Sequence, residues 1–244
     1  MKAVILAGGR GTRLAPFTTA FPKPLVPVGD RPILEIIILQ LLRAGLTDVV
    51  LSVDYLAELI RAYFSERKSL TAKVKISYVR DEVPGGTAGS LASIPGLDET
   101  FLVMNGDVLT ALDYGKLIAH HRAHGGALTI AVRKRTVKID LGVLQYDAAG
   151  VVTDYSEKPE FSYDVSMGVY VYEPRVLQHI QRGAYLDFPT LVLRLIAAGE
   201  KVIAYPSDAY WLDIGRPDDY ARACEELANH IPELEALLAE APRG

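Results

Sequence analysis

The stretch Leu6-Ala7-Gly8-Gly9-Arg10-Gly11-Thr12-Arg13-Leu14 follows an apolar run, Ala3-Val4-Ile5-Leu6, and carries three glycines in four positions. Without a Cβ, such a loop turns sharply and brings its backbone N–H groups against a bulky anion. Arg10 and Arg13 lie inside it, and Lys23 follows between Pro22 and Pro24, so fixed positive charge surrounds a candidate polyphosphate site. The flanking prolines restrict the backbone of Lys23 and aim its ammonium group. The spacing fits neither the dinucleotide loop G-x-G-x-x-G nor the phosphate loop G-x-x-x-x-G-K-[ST], so neither mechanism transfers. A strand-to-helix turn with solvated arginines, and a solvated loop lysine, are the competing readings.

Two carboxylates stand out beside these cations. Asp107, in Asn105-Gly106-Asp107, follows the apolar run Phe101-Leu102-Val103-Met104, and Asp213 follows Tyr210-Trp211-Leu212. Carboxylates just beyond strand ends sit where open α/β sheets bind ligands. Taken alone, Asn-Gly-Asp is equally a turn or a helix cap.

The elements that must position these groups read as strands and helices in alternation. Ala3–Leu6, Asp48–Val53, Val74–Tyr78 and Phe101–Met104 read as strands. Between them, apolar residues at Ile33, Leu34, Ile36, Ile37, Leu41 and Leu42, and at Leu56, Leu59, Ile60, Tyr63 and Phe64, fall at helical spacing. A β-α-β-α-β beginning predicts parallel strands with helices on both faces. Arg80 to Gly86 is a loop, and Thr87 is expected to cap a short helix through Leu91. A helix from Tyr114 to His124 follows. From Leu128 the texture changes to short extended runs, Leu128–Val132, Gly142–Tyr146, Val151–Ser156 and Met167–Tyr172, with a turn at Asp147-Ala148-Ala149-Gly150. Antiparallel additions to the same sheet are expected there. Helices starting at Phe188 and Pro217 flank a strand at Lys201–Tyr205, and residues 231–244 form an acidic, alanine-rich C-terminal helix or tail beyond a domain spanning 1–230.

Composition narrows the partners. The net charge of −4 attracts no nucleic acid in general, so phosphate binding rests on local cations and a mononucleotide fits better than a polymer. Thirteen tyrosines without a basic stripe form no nucleic-acid platform. One cysteine, Cys224, excludes an intramolecular disulfide; with Tyr220 and Leu227 at helical spacing it reads as a small core residue. No apolar run reaches the ~18 residues of a membrane span and no leader pattern precedes the first strand, so a cytoplasmic protein is expected. His120 and His124 are spaced i, i+4 but lack an accompanying carboxylate motif, so a solvated helix end explains them.

Gly8-Gly9-Arg10-Gly11-Thr12-Arg13-Leu14, then Pro16, Thr18 and Pro22-Lys23-Pro24-Leu25, resemble the signature of sugar-1-phosphate nucleotidyltransferases. The resemblance continues through Gly86-Thr87-Ala88-Gly89, Asn105-Gly106-Asp107, Glu157-Lys158-Pro159 and Trp211-Leu212-Asp213-Ile214-Gly215, nearly the whole chain. It implies a single-domain, Rossmann-like α/β three-layer sandwich with a mostly parallel sheet and antiparallel sugar-side additions. Joining a nucleotide to a sugar phosphate needs in-line attack of a phosphate oxygen on the α-phosphorus, with pyrophosphate leaving. The nucleophile is already anionic, so no serine, cysteine or histidine must be activated and the protein's task is positioning and neutralisation.

The resemblance further implies that Asp107 and Asp213 hold Mg²⁺, a cation that binds one or two carboxylates while substrate phosphates complete its shell. It gives the triphosphate to Arg13, transition-state stabilisation to Lys23, the nucleotide to Leu6, Ala7, Gly8, Gly9, Gly11, Thr12, Gly86 and Thr87, the sugar phosphate to Lys158 and the sugar hydroxyls to Glu157. Gly142 and Gly168 would admit the sugar close to the backbone, although glycine at a bulge is a local alternative. Leu141 stands where similar enzymes often carry an aromatic residue, which leaves the sugar open. Guanine offers two adjacent N–H donors to one carboxylate, and Asp81, three residues before Pro84, is the candidate acceptor, with solvated loop charges at Asp81 and Glu82 as the alternative. Guanylyl-transferring relatives usually place a glutamate at the first of these positions and a leucine where Gly85 stands.

The expected activity is thus transfer from a nucleoside triphosphate to a sugar 1-phosphate. GTP with a mannose- or heptose-type sugar is favoured; UTP, dTTP or CTP is the alternative. A non-catalytic regulatory subunit binding nucleotide sugar would be expected to lose some of Arg13, Lys23, Asp107, Lys158 and Asp213, yet all are present. A structural interaction protein explains none of them. Whether the chain forms a homo-oligomer stays open.

Overall fold

The structure, a computed structural model, describes residues 1–80 and 85–229. Asp81 and the expected C-terminal tail therefore lie outside the described residues.

Lys2–Leu6 is the pivot of a seven-stranded sheet whose order is Val202–Pro206, Leu128–Lys138, Glu160–Tyr172, Phe101–Asn105, Lys2–Leu6, Asp48–Ser52, Lys75–Val79. Six strands run the same way, and Glu160–Tyr172 runs against both of its neighbours. Successive residues of the central strands feed opposite cores. Ala3, Ile5, Val49, Leu51, Leu102 and Met104 enter one; Val4, Val50, Phe101 and Val103 enter the other. Strands buried on both faces are the mark of a parallel sheet with helices on each side.

The first core is closed by helices Ile33–Arg43, Ala57–Ser65 and Tyr114–His124 through Leu34, Ile37, Ile60, Phe64 and Leu117. The second is closed by Phe188–Ala197 through Leu191 and Leu195, with Phe101 and Tyr172 stacked at 5.4 Å between ring centres. These are the three layers the alternation predicts.

The antiparallel region departs from expectation in two ways. The strands at Leu128 and Tyr172 are longer than their apolar halves, extending to Lys138 and back to Glu160 as a ribbon. Beyond Val132 the apolar pattern stops, and the register instead sets Lys134 opposite Asp164 and Lys138 opposite Glu160, pairs that favour cross-strand contact in solvent. Gly142–Tyr146 and Val152–Glu157, expected on the same sheet, form a separate two-stranded sheet at the ribbon's end. Its turn holds Asp147, whose carboxylate accepts the N–H groups of Ala149 and Val151.

Candidate active site

Gly11 adopts φ +61°, and a Cβ there would lie 2.9 Å from Thr18 Cγ2 and 3.0 Å from Lys23 Cβ. The loop therefore closes onto the Thr18 and Lys23 segment only because that position is glycine. The buried Thr18 hydroxyl donates to the Gly11 carbonyl at 2.8 Å. Lys23, almost wholly buried, opens a short 3₁₀ turn between its prolines and donates its ammonium to Oδ2 of Asp107. The glycine loop and the first carboxylate are thus joined through one lysine.

Asp107 and Asp213 are brought together by a two-stranded antiparallel ribbon, Val108–Thr110 against Trp211–Asp213, with Asp213 opposite Val108. Ile214 N–H donates to the Asp107 carbonyl at 3.0 Å. The surrounding protein raises the Asp213 carboxyl above its usual range, the Asp107 charge raises it further, and the Lys23 and Arg13 charges pull it down. Two carboxylates and two cations therefore sense one another's fields. Arg13 follows Gly11 in the 3₁₀ turn Thr12–Leu14, and a Cβ built on Gly215 would lie 3.8 Å from its guanidinium carbon. The two oxygen-rich side chains suit a hard divalent cation that completes its shell with phosphate oxygens and water. Among the described residues no group of three or more His, Cys, Asp or Glu side chains is placed to hold a metal ion.

Two adjoining cavities share Leu6, Thr87 and Asn105. The larger, about 800 Å³, is lined by the glycine loop from Leu6 to Gly9, by Lys23 and Asp107, and by Gly86 and Thr87. The smaller, about 270 Å³, holds Asp213 and Gly168 with Ser166, Tyr170 and Trp211. The carboxylates thus stand one in each cavity, with the shared wall between. Gly168, at φ +73°, sits where the ribbon's register shifts, and a Cβ there would come 2.8 Å from Asn105 Nδ2. The bulge and the close approach are the same feature. Trp211 Nε1 donates to the Met167 carbonyl at 2.8 Å, holding this wall to the carboxylate ribbon.

Thr87 does not cap its helix. The helix Gly86–Gly89 begins after Gly85 with no side-chain cap, and the Thr87 hydroxyl instead accepts the N–H of Phe188 at 2.9 Å. Leu186 completes the staple: its carbonyl accepts from Ala88 and Gly89, and its N–H donates to Gly85. A Cβ at Gly86, φ +74°, would lie 2.6 Å from that carbonyl, so glycine is required by a long-range contact invisible to local patterning. The same loop delivers Tyr185 to the larger cavity, a residue that sequence reasoning passed over because nothing nearby in the chain marks it.

Gly11, Thr12 and Arg13 are not part of either cavity wall, and neither are Gly142, Glu157 and Lys158. The last three sit on the outer hairpin. Gly142 pairs with Glu157, and a Cβ at Gly142 would collide with the Tyr155 hydroxyl, which donates to Glu157 at 2.7 Å. Lys158 holds a left-handed turn, φ +47°, its N–H donating to the Leu141 carbonyl. Cys224 is half-buried rather than central to the core, and His120 stacks on His124 at 3.9 Å between ring centres on the helix flank.

A glycine loop at a central strand end, a buried lysine paired to one of two converging carboxylates, and two abutting cavities define an α/β enzyme site for phosphorylated substrates. The chain belongs to the nucleotidyl transferase family, whose model matches residues 2–230, and among its members to the sugar-1-phosphate nucleotidyltransferases. It is 33% identical over 96% of its length to a UTP–glucose-1-phosphate uridylyltransferase from Synechocystis sp., and 32% identical over 96% to a mannose-1-phosphate guanylyltransferase from Mycobacterium tuberculosis. It spans about two thirds of each relative, 67% in both cases. Crystalline HddC from Yersinia pseudotuberculosis complexed with GMP-PN superposes with a TM-score of 0.70 at 26% identity, covering 93% of this chain and 99% of that one. No helix among the described residues is long and apolar enough to cross a membrane.

Proposed function

We propose that this chain is a cytoplasmic, Mg²⁺-dependent guanylyltransferase acting on a mannose- or heptose-type sugar 1-phosphate. The junction of the two cavities carries the reading, since it sets Asp107 on one side and Asp213 on the other with Lys23 bound to Asp107. The triphosphate nucleotide takes the larger cavity and the sugar phosphate the smaller. The sugar phosphate's oxygen attacks the α-phosphorus, the bond to the β-phosphate oxygen breaks, and NDP-sugar and pyrophosphate result. Mg²⁺, held by Asp107 and Asp213, supplies charge neutralisation between the two anionic substrates. Lys23, bound to Asp107 on the wall of the larger cavity, meets charge on the transferring phosphoryl group, and Arg13, outside both walls beside Gly215, meets the departing pyrophosphate, where its planar fork suits several oxygens. Lys158 and Glu157 serve the sugar phosphate and sugar hydroxyls from the hairpin.

The guanylyltransferase relative and the GMP-PN complex of the HddC neighbour support GTP. The uridylyltransferase relative favours UTP as the second reading. A matrix of nucleoside triphosphates against sugar 1-phosphates, read by pyrophosphate release, tests both. GTP with a mannose- or heptose-type phosphate should give the highest turnover. A preference for UTP or dTTP overturns the guanine assignment, and no pyrophosphate from any pair leaves a nucleotide-sugar-binding regulatory subunit.

A further inference from the structure

The larger cavity crosses the carboxyl ends of four neighbouring parallel strands in the order Phe101–Asn105, Lys2–Leu6, Asp48–Ser52, Lys75–Val79. Adjacent strands lie about 4.8 Å apart, so its two poles are separated by roughly 14 Å. One pole is the reacting end, where Asp107 and Lys23 meet. A nucleotide whose α-phosphate lies there must carry its base toward the other pole.

That far pole is built by Asp54 and Arg80. Arg80 follows directly on the end of its strand and Asp54 stands two residues past the end of its own: Ser52 pairs with Val79, and Val53 N–H donates to the Val79 carbonyl at 2.9 Å, so the two chains leave the sheet side by side. Arg80 Nη2 donates to Asp54 Oδ1 at 3.4 Å. The glycine loop lies against Asp54, since a Cβ at Gly8 would come 3.3 Å from Asp54 Cβ. Both side chains line the cavity and remain open to it, Asp54 at 50% and Arg80 at 64% exposure. Their mutual contact uses one of five guanidinium N–H groups and one carboxylate oxygen.

A carboxylate beside a guanidinium offers two acceptor oxygens next to a donor, and of the common bases only guanine presents two adjacent donors next to an acceptor. Guanine presents the O6 acceptor next to two adjacent donors, N1–H and the N2 amine. Uracil and thymine present one N–H between two carbonyls, while adenine and cytosine present a single amine donor beside ring acceptors. We propose that Asp54 and Arg80 read the guanine edge together, Asp54 accepting N1–H and N2–H while Arg80 donates to O6. This rests on the guanylyl-transfer reading and supplies its specificity determinant from described residues of the fold.

ITP, which lacks the N2 amine but keeps N1–H and O6, separates the two roles. With a fixed sugar 1-phosphate, kcat/KM is measured on the whole chain for GTP, ITP, UTP, dTTP and ATP, in the unmodified protein and in Asp54→Asn, Arg80→Gln and Asp81→Asn. The unmodified protein should favour GTP over ITP roughly 10-fold or more, and Asp54→Asn should bring that ratio close to unity, chiefly by raising the KM for GTP. Arg80→Gln should depress GTP and ITP alike, since both carry O6. A thermal midpoint of Asp54→Asn matching that of the unmodified protein certifies its fold. A GTP/ITP ratio unchanged in Asp54→Asn, or lost only in Asp81→Asn, overturns this assignment while leaving guanylyl transfer standing. A preference of the unmodified protein for UTP or dTTP overturns both.

Discussion

The backbone N–H of Ile214 donates to the carbonyl of Asp107 at 3.0 Å, and that bond brings together two carboxylates drawn from distant parts of the chain. It belongs to the Val108–Thr110 and Trp211–Asp213 ribbon, so the spacing of the pair is set by a sheet register and not by loop conformation. A spacing set by register would suit the proposed Mg²⁺, which demands near-ideal octahedral oxygens.

Asp107→Asn and Asp213→Asn are each expected to lower turnover by about two orders of magnitude or more, with the thermal midpoint little changed. Pyrophosphate release titrated with Mg²⁺ checks this. Near-normal rates for both variants at limiting Mg²⁺ would remove the metal pair.

Lys23→Met removes the ammonium that Asp107 holds and should depress kcat strongly at saturating substrates. Because the two side chains act as one ion pair, the double variant Lys23→Met with Asp107→Asn should be scarcely worse than the more damaged single variant. Losses that multiply would show two independent roles. Arg13→Lys should also be severe, since a point charge replaces a multidentate fork; an unchanged kcat would exclude a transition-state role.

Gly168→Ala introduces a Cβ 2.8 Å from Asn105 Nδ2 at φ +73°. It should cost about 1–3 kcal/mol of stability and raise the KM for the sugar phosphate more than that for the nucleotide, because Gly168 lines only the smaller cavity. Chemical denaturation and substrate-resolved kinetics together test it, and a nucleotide-only effect would reverse the assignment of the cavities.

Lys158→Ala and Lys158→Gly both remove the ammonium, but only glycine relaxes the left-handed backbone at φ +47°. If the charge binds the sugar phosphate, both should raise its KM alike and leave that of the nucleotide nearly unaltered. A sugar-phosphate KM unchanged in both variants would show that the charge has no binding role.

The sequence by itself determined the scaffold and the cast of charged residues. Buried runs at Lys2–Leu6, Asp48–Ser52 and Phe101–Asn105, and the apolar alternation of the edge strand Lys75–Val79, separated by helical spacing, are local signals, because burial on both faces calls for apolar residues along a central strand and burial on one face calls for alternation. Gly11 and Lys23 were legible for the same reason, as short-range spacing written into one loop. What only the tertiary structure decided depends on contacts between residues far apart in the chain. The convergence of Asp107 with Asp213, the Thr87 hydroxyl turned to Phe188 instead of capping its own helix, the arrival of Tyr185, and the Asp54–Arg80 pair each arise from strand order or long-range backbone bonds. The ribbon beyond Val132 was hidden for a related cause: its pairing is carried by opposite charges across two strands, a match that exists only once the register is set.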